Sequence, residues 1–343
     1  MSLSIQILTK DLECKWNEYA SKNGASIYHD TRWKDLIEKV FGHQCHYIIA
    51  MEECGVVGIL PLVQLKSRLF GNFMVSMPYF NYGGAIADND EIMISLLKSA
   101  NELSSELSCS HIEMRFDEAQ EIDLLLRTDK VTMLLDLPHD PDQLWQAIGS
   151  KRRAQVKRPV REGVEFISGG MELLDEFYHV FSNNMRDLGT PVYSKTFFKE
   201  IISMFAENSF IAIVRLNGKP VGAGFLLGHM GKMEIPWAST LRKYNRLGIN
   251  MYMYWNILKF AIENNYDIFD FGRSSKDAGT LKFKKQWGST EKQLYWYYDM
   301  DEKAPLPGLN PNNKKYKTAI LVWKKLPVSV TRLIGPPIVK NLP

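Results

Sequence analysis

The sequence contains no long hydrophobic run. Nothing in it approaches the roughly 18 consecutive apolar residues that a membrane-spanning helix needs. The start of the chain, Met1 to Lys10, lacks the basic-then-apolar pattern of an export signal, so a cytoplasmic location is expected. Cysteine is scarce. Cys14, Cys45, Cys54 and Cys109 are scattered through the N-terminal third, with no Cys-x-x-Cys pair and no Cys/His spacing for a metal. They read as free thiols of a reducing compartment, and no metal site is expected. The seven histidines stand apart from any serine or cysteine in a triad-like context, which speaks against covalent catalysis. A charge excess of one sign is missing too. The 42 basic and 39 acidic side chains leave a net charge of +3, too small by itself to argue for nucleic acid, and no DNA partner is expected.

What remains is an aromatic-rich globular chain. Its 343 residues, 45% of them apolar and 24% charged, suit two domains of ordinary size. The first half reads as a short strand at Ile5–Leu8, helices from Asp11 and over 30–41, a hairpin over 47–65, a helix over 91–107 and strands at 111–116 and 131–137. Pro138-His139-Asp140-Pro141 punctuates the chain, and a domain boundary is expected there. One helix should then run from Asp142 through Lys151-Arg152-Arg153, ending or kinking just before Pro159. The second half repeats the grammar: a strand at 164–167, helices over 171–188 and 194–207, and a hairpin turning at Asn217-Gly218. A strand at 233–238, a helix over 250–264 and strands at 268–271 and 294–298 follow. The expectation is an α/β (α+β) protein of two similar units: 1–140, 141–310, and a tail over 311–343.

The chemistry concentrates in two runs. Phe269-Asp270-Phe271-Gly272-Arg273-Ser274 reads as a buried strand that ends in a glycine and a cation. Arg273 is a candidate grip for an acyl or carboxyl group, and Asp270 is expected to orient it. The polar stretch Ser274 to Thr280 follows as a loop of the kind that carries sites. Phe283-Lys284-Lys285-Gln286-Trp287-Gly288 sets cations between aromatics; read as extended chain, it puts Lys282 and Lys284 on one face. A lysine there can offset negative charge that develops in a partly dry site. The plainer readings are a structural Asp–Arg bond and solvated loop lysines.

Three further features add candidates. Lys151, Arg152, Arg153, Lys157, Arg158 and Arg161 crowd eleven residues, and Arg153, Lys157 and Arg161 fall four apart. This is either a solvated helix face or a clamp for phosphates or tRNA backbone. Tyr244-Asn245-Arg246-Leu247-Gly248-Ile249-Asn250 joins a strand to a helix, where backbone N–H groups can meet an anion. It is a weak match to the pyrophosphate loop of the GNAT acyltransferases, with Asn245 and Asn250 at the substituted ends. Tyr254 and Trp237 can line a cleft or fill the core.

The paired motifs Asp-Phe-Gly-Arg-Ser and Phe-Lys-Lys-Gln-Trp-Gly resemble the signature of FemAB-type proteins, in particular those of exosortase and exopolysaccharide loci. Lys151–Gly163, Ser76–Tyr79 with Tyr82-Gly83-Gly84, and Trp323–Pro327 with Leu333–Pro336 agree with it. The resemblance implies two GNAT-like domains, with the cleft mainly on the second. It implies transfer of an acyl or aminoacyl group, from acyl-CoA or aminoacyl-tRNA, to an amine of a peptidoglycan or polysaccharide precursor. It places Lys284 near the acceptor's phosphate or the transferred carbonyl, with Arg273 and Tyr254 in the same cleft and Lys285 and Trp287 beside it. The substitutions at Asn245 and Asn250 motivate the alternative of a non-catalytic scaffold with a degenerate site. The tail mixes cations with apolar residues, which suits either a strap on the second domain or a peripheral contact with an anionic membrane; its prolines argue against one continuous amphipathic helix.

Overall fold

The computed structural model describes residues 3–276, 279–301, 303–307 and 314–343. Asp277 and Ala278 of the expected polar loop, and the first residues of the expected tail, 311–313, lie outside this set. In chain order the elements are β1 (Ser4–Ile7), α1 (Glu13–Lys22), α2 (Arg32–Phe41), β2 (Gln44–Cys45), β3 (Ile48–Glu52), β4 (Gly55–Leu60), β5 (Val63–Ser67), β6 (Gly71–Val75), β7 (Ile86–Ala87) and α3 (Asp90–Glu106). Then come β8 (Ile112–Phe116), β9 (Leu125–Arg127), β10 (Lys130–Asp136), α4 (Pro141–Ala147), α5 (Gly149–Val160), β11 (Val164–Gly169), α6 (Leu174–Leu188), α7 (Lys195–Met204) and β12 (Ser209–Leu216). The last are β13 (Lys219–His229), β14 (Lys232–Thr240), α8 (Ile249–Glu263), β15 (Ile268–Ser275), α9 (Gly279–Lys285), β16 (Thr290–Gln293), β17 (Tyr295–Asp299), α10 (Lys314–Trp323) and α11 (Val328–Val339).

The chain forms two compact units. The first comprises Met1–Val131, Lys292–Gly308 and Lys340–Pro343; the second, Thr132–Glu291 and Leu309–Val339. This differs from the expected division at 140 and 310: the tail is shared between the two units, and two strands change places. β17, placed by sequence in the second half, pairs antiparallel with β8 and β9 of the first unit. β10, placed in the first half, lies next to β15 in the second sheet. Strand propensity reveals a strand but not its partner, so neither exchange was legible.

The first unit holds a four-stranded sheet, β1-β3-β4-β7, and a six-stranded sheet, β2-β5-β6-β8-β17-β9. Its core gathers Ile48, Leu60, Met74, Leu96, Ile112 and Met114. β6 and β8 run parallel for two pairs, Met74 with Ile112 and Val75 with Glu113. Beyond them the chain fills the space itself. The Ser76 amide donates to Glu113 O at 2.8 Å, and the Gly84 amide to Arg115 O at 2.8 Å. Arg115 is buried. Its guanidinium pairs with Glu113, donates to Phe80 O and lies 4.4 Å from the Trp296 ring.

The second unit is built on one seven-stranded sheet, β11-β12-β13-β14-β15-β10-β16. Asn217 (φ 51°) and Gly218 (φ 71°) make the expected primed turn between β12 and β13. Helices cover both faces, as the alternation along β13 shows. A Cβ at Gly222 would fall 3.0 Å from Ile249 of α8, and one at Gly224 3.2 Å from Ile257. The intervening side of the strand presents Phe225 to Phe177 of α6 and Phe198 of α7. The single helix expected from Asp142 is two, α4 and α5, broken where Gly149 adopts φ 76°. Pro159 does not end α5; it sits in the last turn. Proline has no N–H, so the carbonyl of Gln155 loses its helical donor. Gly248, at the entrance to α8, packs on that gap: a Cβ there would stand 3.2 Å from Gln155 O.

Candidate active site

β14 and β15 are parallel neighbours for three pairs only: Lys232 with Ile268, Met233 with Phe269 and Glu234 with Asp270. β14 then runs on to Thr240 and β15 to Ser275, so the two strands part. Two residues past the last pair, Gly272 takes φ 74°, a left-handed torsion that turns β15 at little steric cost.

Asp270 is fully buried at the point of parting. Its Oδ1 accepts from Thr132 Oγ1 at 2.6 Å and from the Gly272 amide at 2.8 Å; Lys232 Nζ lies 3.4 Å from Oδ2. A buried carboxylate needs such partners. They fix the backbone on which Arg273 follows. Arg273 itself is exposed.

Phe283 to Lys285 belong to helix α9, so the condition of an extended chain is not met. Helical spacing turns Leu281 and Lys284 inward together and leaves Lys282 and Lys285 outside, so Lys282 and Lys284 do not share a face. Lys284 Nζ donates to Gly272 O at 2.7 Å and to Arg273 O at 3.0 Å. Burial pulls its pKa down to about 8, while the charges of Asp270 and Glu234 act against that pull. An ammonium has three N–H groups, and two are spent on these carbonyls.

An aromatic wall stands around this point. Tyr254 stacks on Phe271 at 5.7 Å and meets Phe283 edge-on at 5.0 Å, with Trp287 at 6.5 Å. Trp287 is buried, and its Nε1 has no hydrogen-bond partner among the described residues; the same holds for the buried Ser274 and Ser289 hydroxyls. Unsatisfied buried donors of this kind call for an explanation, and a bound polar group supplies one.

The structure thus brings together Lys284, Tyr254, Trp287 and the β15 turn that bears Arg273. The other candidates lie in different surroundings. Trp237 belongs to the aromatic core with Phe197, Phe198 and Phe225. Arg153 donates to the carbonyls of Trp145 and Gln146, tying α5 to α4 across their break. Lys157 lies over the Trp145 ring at 5.6 Å. Tyr244 stands beside Lys243 and lines an open cavity of about 320 Å³ with His179, Lys219, Pro220 and Leu241. Asn245 Oδ1 accepts from Thr240 Oγ1, Asn250 is half-buried in the first turn of α8, and Lys285 pairs with Glu291 at 2.5 Å. Sequence reasoning missed Thr132, Lys232 and Glu234. Each sits in an unremarkable strand, and only the pairing of β15 with its neighbours brings them to Asp270.

Residues 150–285 match the family described as an acetyltransferase (GNAT) domain. The UDP-N-acetylmuramoylpentapeptide-lysine N(6)-alanyltransferase of Weissella viridescens is 26% identical over 162 residues. Residues 150–285 thus carry a GNAT-type domain, and the chain is similar to the FemAB-type transferases. That alignment covers 45% of this chain and 48% of the relative, so the chain matches about half of the relative's length. The fold of FemX superposes with a TM-score of 0.65 at 14% identity, over 86% of this chain and 97% of that one. A tandem GNAT protein from the clavulanic acid pathway gives 0.59 at 10% identity, over 89% of this chain and 100% of that one. Two GNAT-like domains therefore make up this FemAB-like fold. Among the described residues no group of side chains could hold a metal, and no helix is long and apolar enough to cross a membrane.

Proposed function

We propose that the chain is an N-acyltransferase that moves an aminoacyl or acyl group onto an amine of a cell-envelope precursor. The observation that carries this is the buried Lys284 ammonium at the parting of β14 and β15, inside the matched GNAT domain. The alanyl transfer to a muramoyl-pentapeptide lysine performed by the Weissella relative supports the substrate class. In the reaction the acceptor amine attacks the carbonyl carbon of an ester or thioester. The C–N bond forms, the C–O or C–S bond breaks, and the ammonium proton passes to solvent or to the leaving group. Lys284 gives its remaining N–H to the carbonyl oxygen as charge builds there, in a site dry enough to make that bond count. Tyr254, Trp287 and Phe283 bound the acyl group, and Arg273 meets an anionic part of donor or acceptor. Holding the two partners in line contributes on the order of 7–11 kcal/mol in favourable cases.

The donor is acyl-CoA or an aminoacyl-tRNA. Arg153 and Lys157 of α5, with Tyr244, Asn245 and Asn250 at the entrance to α8, form the phosphate-binding side of either. The acceptor is a peptidoglycan or polysaccharide precursor, and the reaction runs in the cytoplasm. Assay of the purified chain and its Lys284→Met variant, with acyl-CoA and separately with charged tRNA, tests the reading. The variant should lose at least about a hundredfold in turnover, the scale of a lost oxyanion donor. Equal turnover by both proteins would sink the role of Lys284. Binding of neither donor by a well-folded chain would favour a scaffold, in keeping with the departures at Asn245 and Asn250. If Lys284 acts as an ammonium, the rate must fall as pH rises through about 8; a rise there would make it the base instead.

A further inference from the structure

Helix α11 is apolar on both faces. Thr331, Gly335 and Val339 turn inward, and Gly335 lies so close to Val192 that a Cβ would meet its amide nitrogen at 2.9 Å. The one charge of the helix, Arg332, is turned back to the protein. Its Nε donates to Ser182 Oγ at 2.9 Å and its guanidinium lies 5.2 Å from the Tyr178 ring. Apart from Ser329, the exposed positions are Val330, Leu333, Ile334 and Pro337, at i, i+3, i+4 and i+7, with Leu333 76% exposed. An ordinary surface helix puts polar residues there.

α10 adds to this surface. It seats on the end of α6, where a Cβ on Gly189 would meet Ile320 at 2.6 Å and Lys324 at 3.1 Å. Its Leu321 and Val322 are exposed, as is Leu188 immediately before that contact. Every charged residue between Lys314 and Pro343 is a lysine or arginine. The surface is thus an apolar stripe among cations, without a carboxylate from its own segment.

We propose that α10 and α11 dock on an anionic lipid surface. Leu333, Ile334 and Val330 enter the boundary between headgroups and acyl chains, and Lys317, Lys324 and Lys325 meet the anionic headgroups. Charge complementarity selects this occupant: a second copy of the chain would bring cations against cations. The proposal goes beyond the transfer reaction and is read without turnover, so either reading can fail alone.

Co-sedimentation of the full chain with vesicles tests it, using phosphatidylcholine alone and phosphatidylcholine with phosphatidylglycerol, at low and high salt. The chain should pellet with the anionic vesicles at low salt and be released by high salt. Lys324→Ala and Lys325→Ala should each weaken binding about fivefold. Leu333→Asp should weaken it roughly tenfold or more with an unchanged melting temperature, since that side chain is exposed. Failure to pellet with anionic vesicles overturns the proposal, as does equal binding by Leu333→Asp. Self-association abolished by Leu333→Asp, without vesicle binding, would overturn it in favour of a dimer face. Retention of RNA in place of vesicles would overturn it in favour of a nucleic-acid surface.

Discussion

In the first unit β6 and β8 part after Val75 and Glu113, and the chain itself fills the opening with Ser76 to Gly84 and the buried Arg115. In the second, β14 and β15 part after Glu234 and Asp270, and a buried lysine stands there with orphaned donors nearby. Both openings carry a cation anchored to main-chain oxygen. Arg115 has its own carboxylate, Glu113, and an aromatic lid, Trp296. Lys284 shows two carbonyls and a depressed pKa. The two openings differ in how the cation is held: Arg115 pairs directly with a carboxylate, whereas Lys284 bonds only carbonyls and feels Asp270 and Glu234 through space.

The comparison breaks most easily at Arg115. Arg115→Met leaves Glu113 buried without its partner and should cost about 3–5 kcal/mol of stability in a denaturant titration; a loss under 1 kcal/mol would mean that the first opening is not held by this pair. The next effect belongs to Lys284. Its folded pKa of about 8 lies below the ordinary 10.5, so between those values the unfolded chain binds more protons than the native one. Stability must therefore rise with pH across that window, by on the order of 3 kcal/mol in the limit of a fully titrated site. Lys284→Met should lack this rise, and identical pH slopes for the two proteins would count against a strained ammonium. Asp270→Asn removes a charge that holds the lysine's pKa up, so the same window should open at lower pH.

Gly272→Ala sharpens the contrast at the backbone. Its φ of 74° costs an L-residue about 1–2 kcal/mol, and the turned carbonyls that anchor Lys284 should relax, lowering turnover more than stability. A change in stability with turnover intact would make the turn merely structural. The smallest effect is expected at Lys157→Ala, where loss of the contact with Trp145 should cost about 0.5–1 kcal/mol; its influence on donor affinity, measured by calorimetry, shows whether α5 meets phosphate at all.

Much of this could be read from the chain. The Asn217-Gly218 turn, the Ser194 cap that accepts from the Phe197 amide, and the Phe269–Phe271 strand follow from local rules. The resemblance, and no local rule, set Lys284 and Arg273 in one cleft; in the fold Lys284 Nζ donates to Arg273 O. What sequence hid was non-local. Nothing at Thr132 or Lys232 announces Asp270 as a partner, and the exchange of β10 and β17 needs the assembled sheets. The sequence leaves the conformation of Phe283–Lys285 open, and packing of Leu281 and Lys284 on one side decides for helix.

The anchors of Lys284 are main-chain oxygens, and every amino acid brings one. Residue 273 can therefore drift, exchanging its exposed guanidinium for another side chain, while the ammonium keeps its acceptors. Within such an arrangement the side chain at 273 can change its charge and size without displacing the buried ammonium.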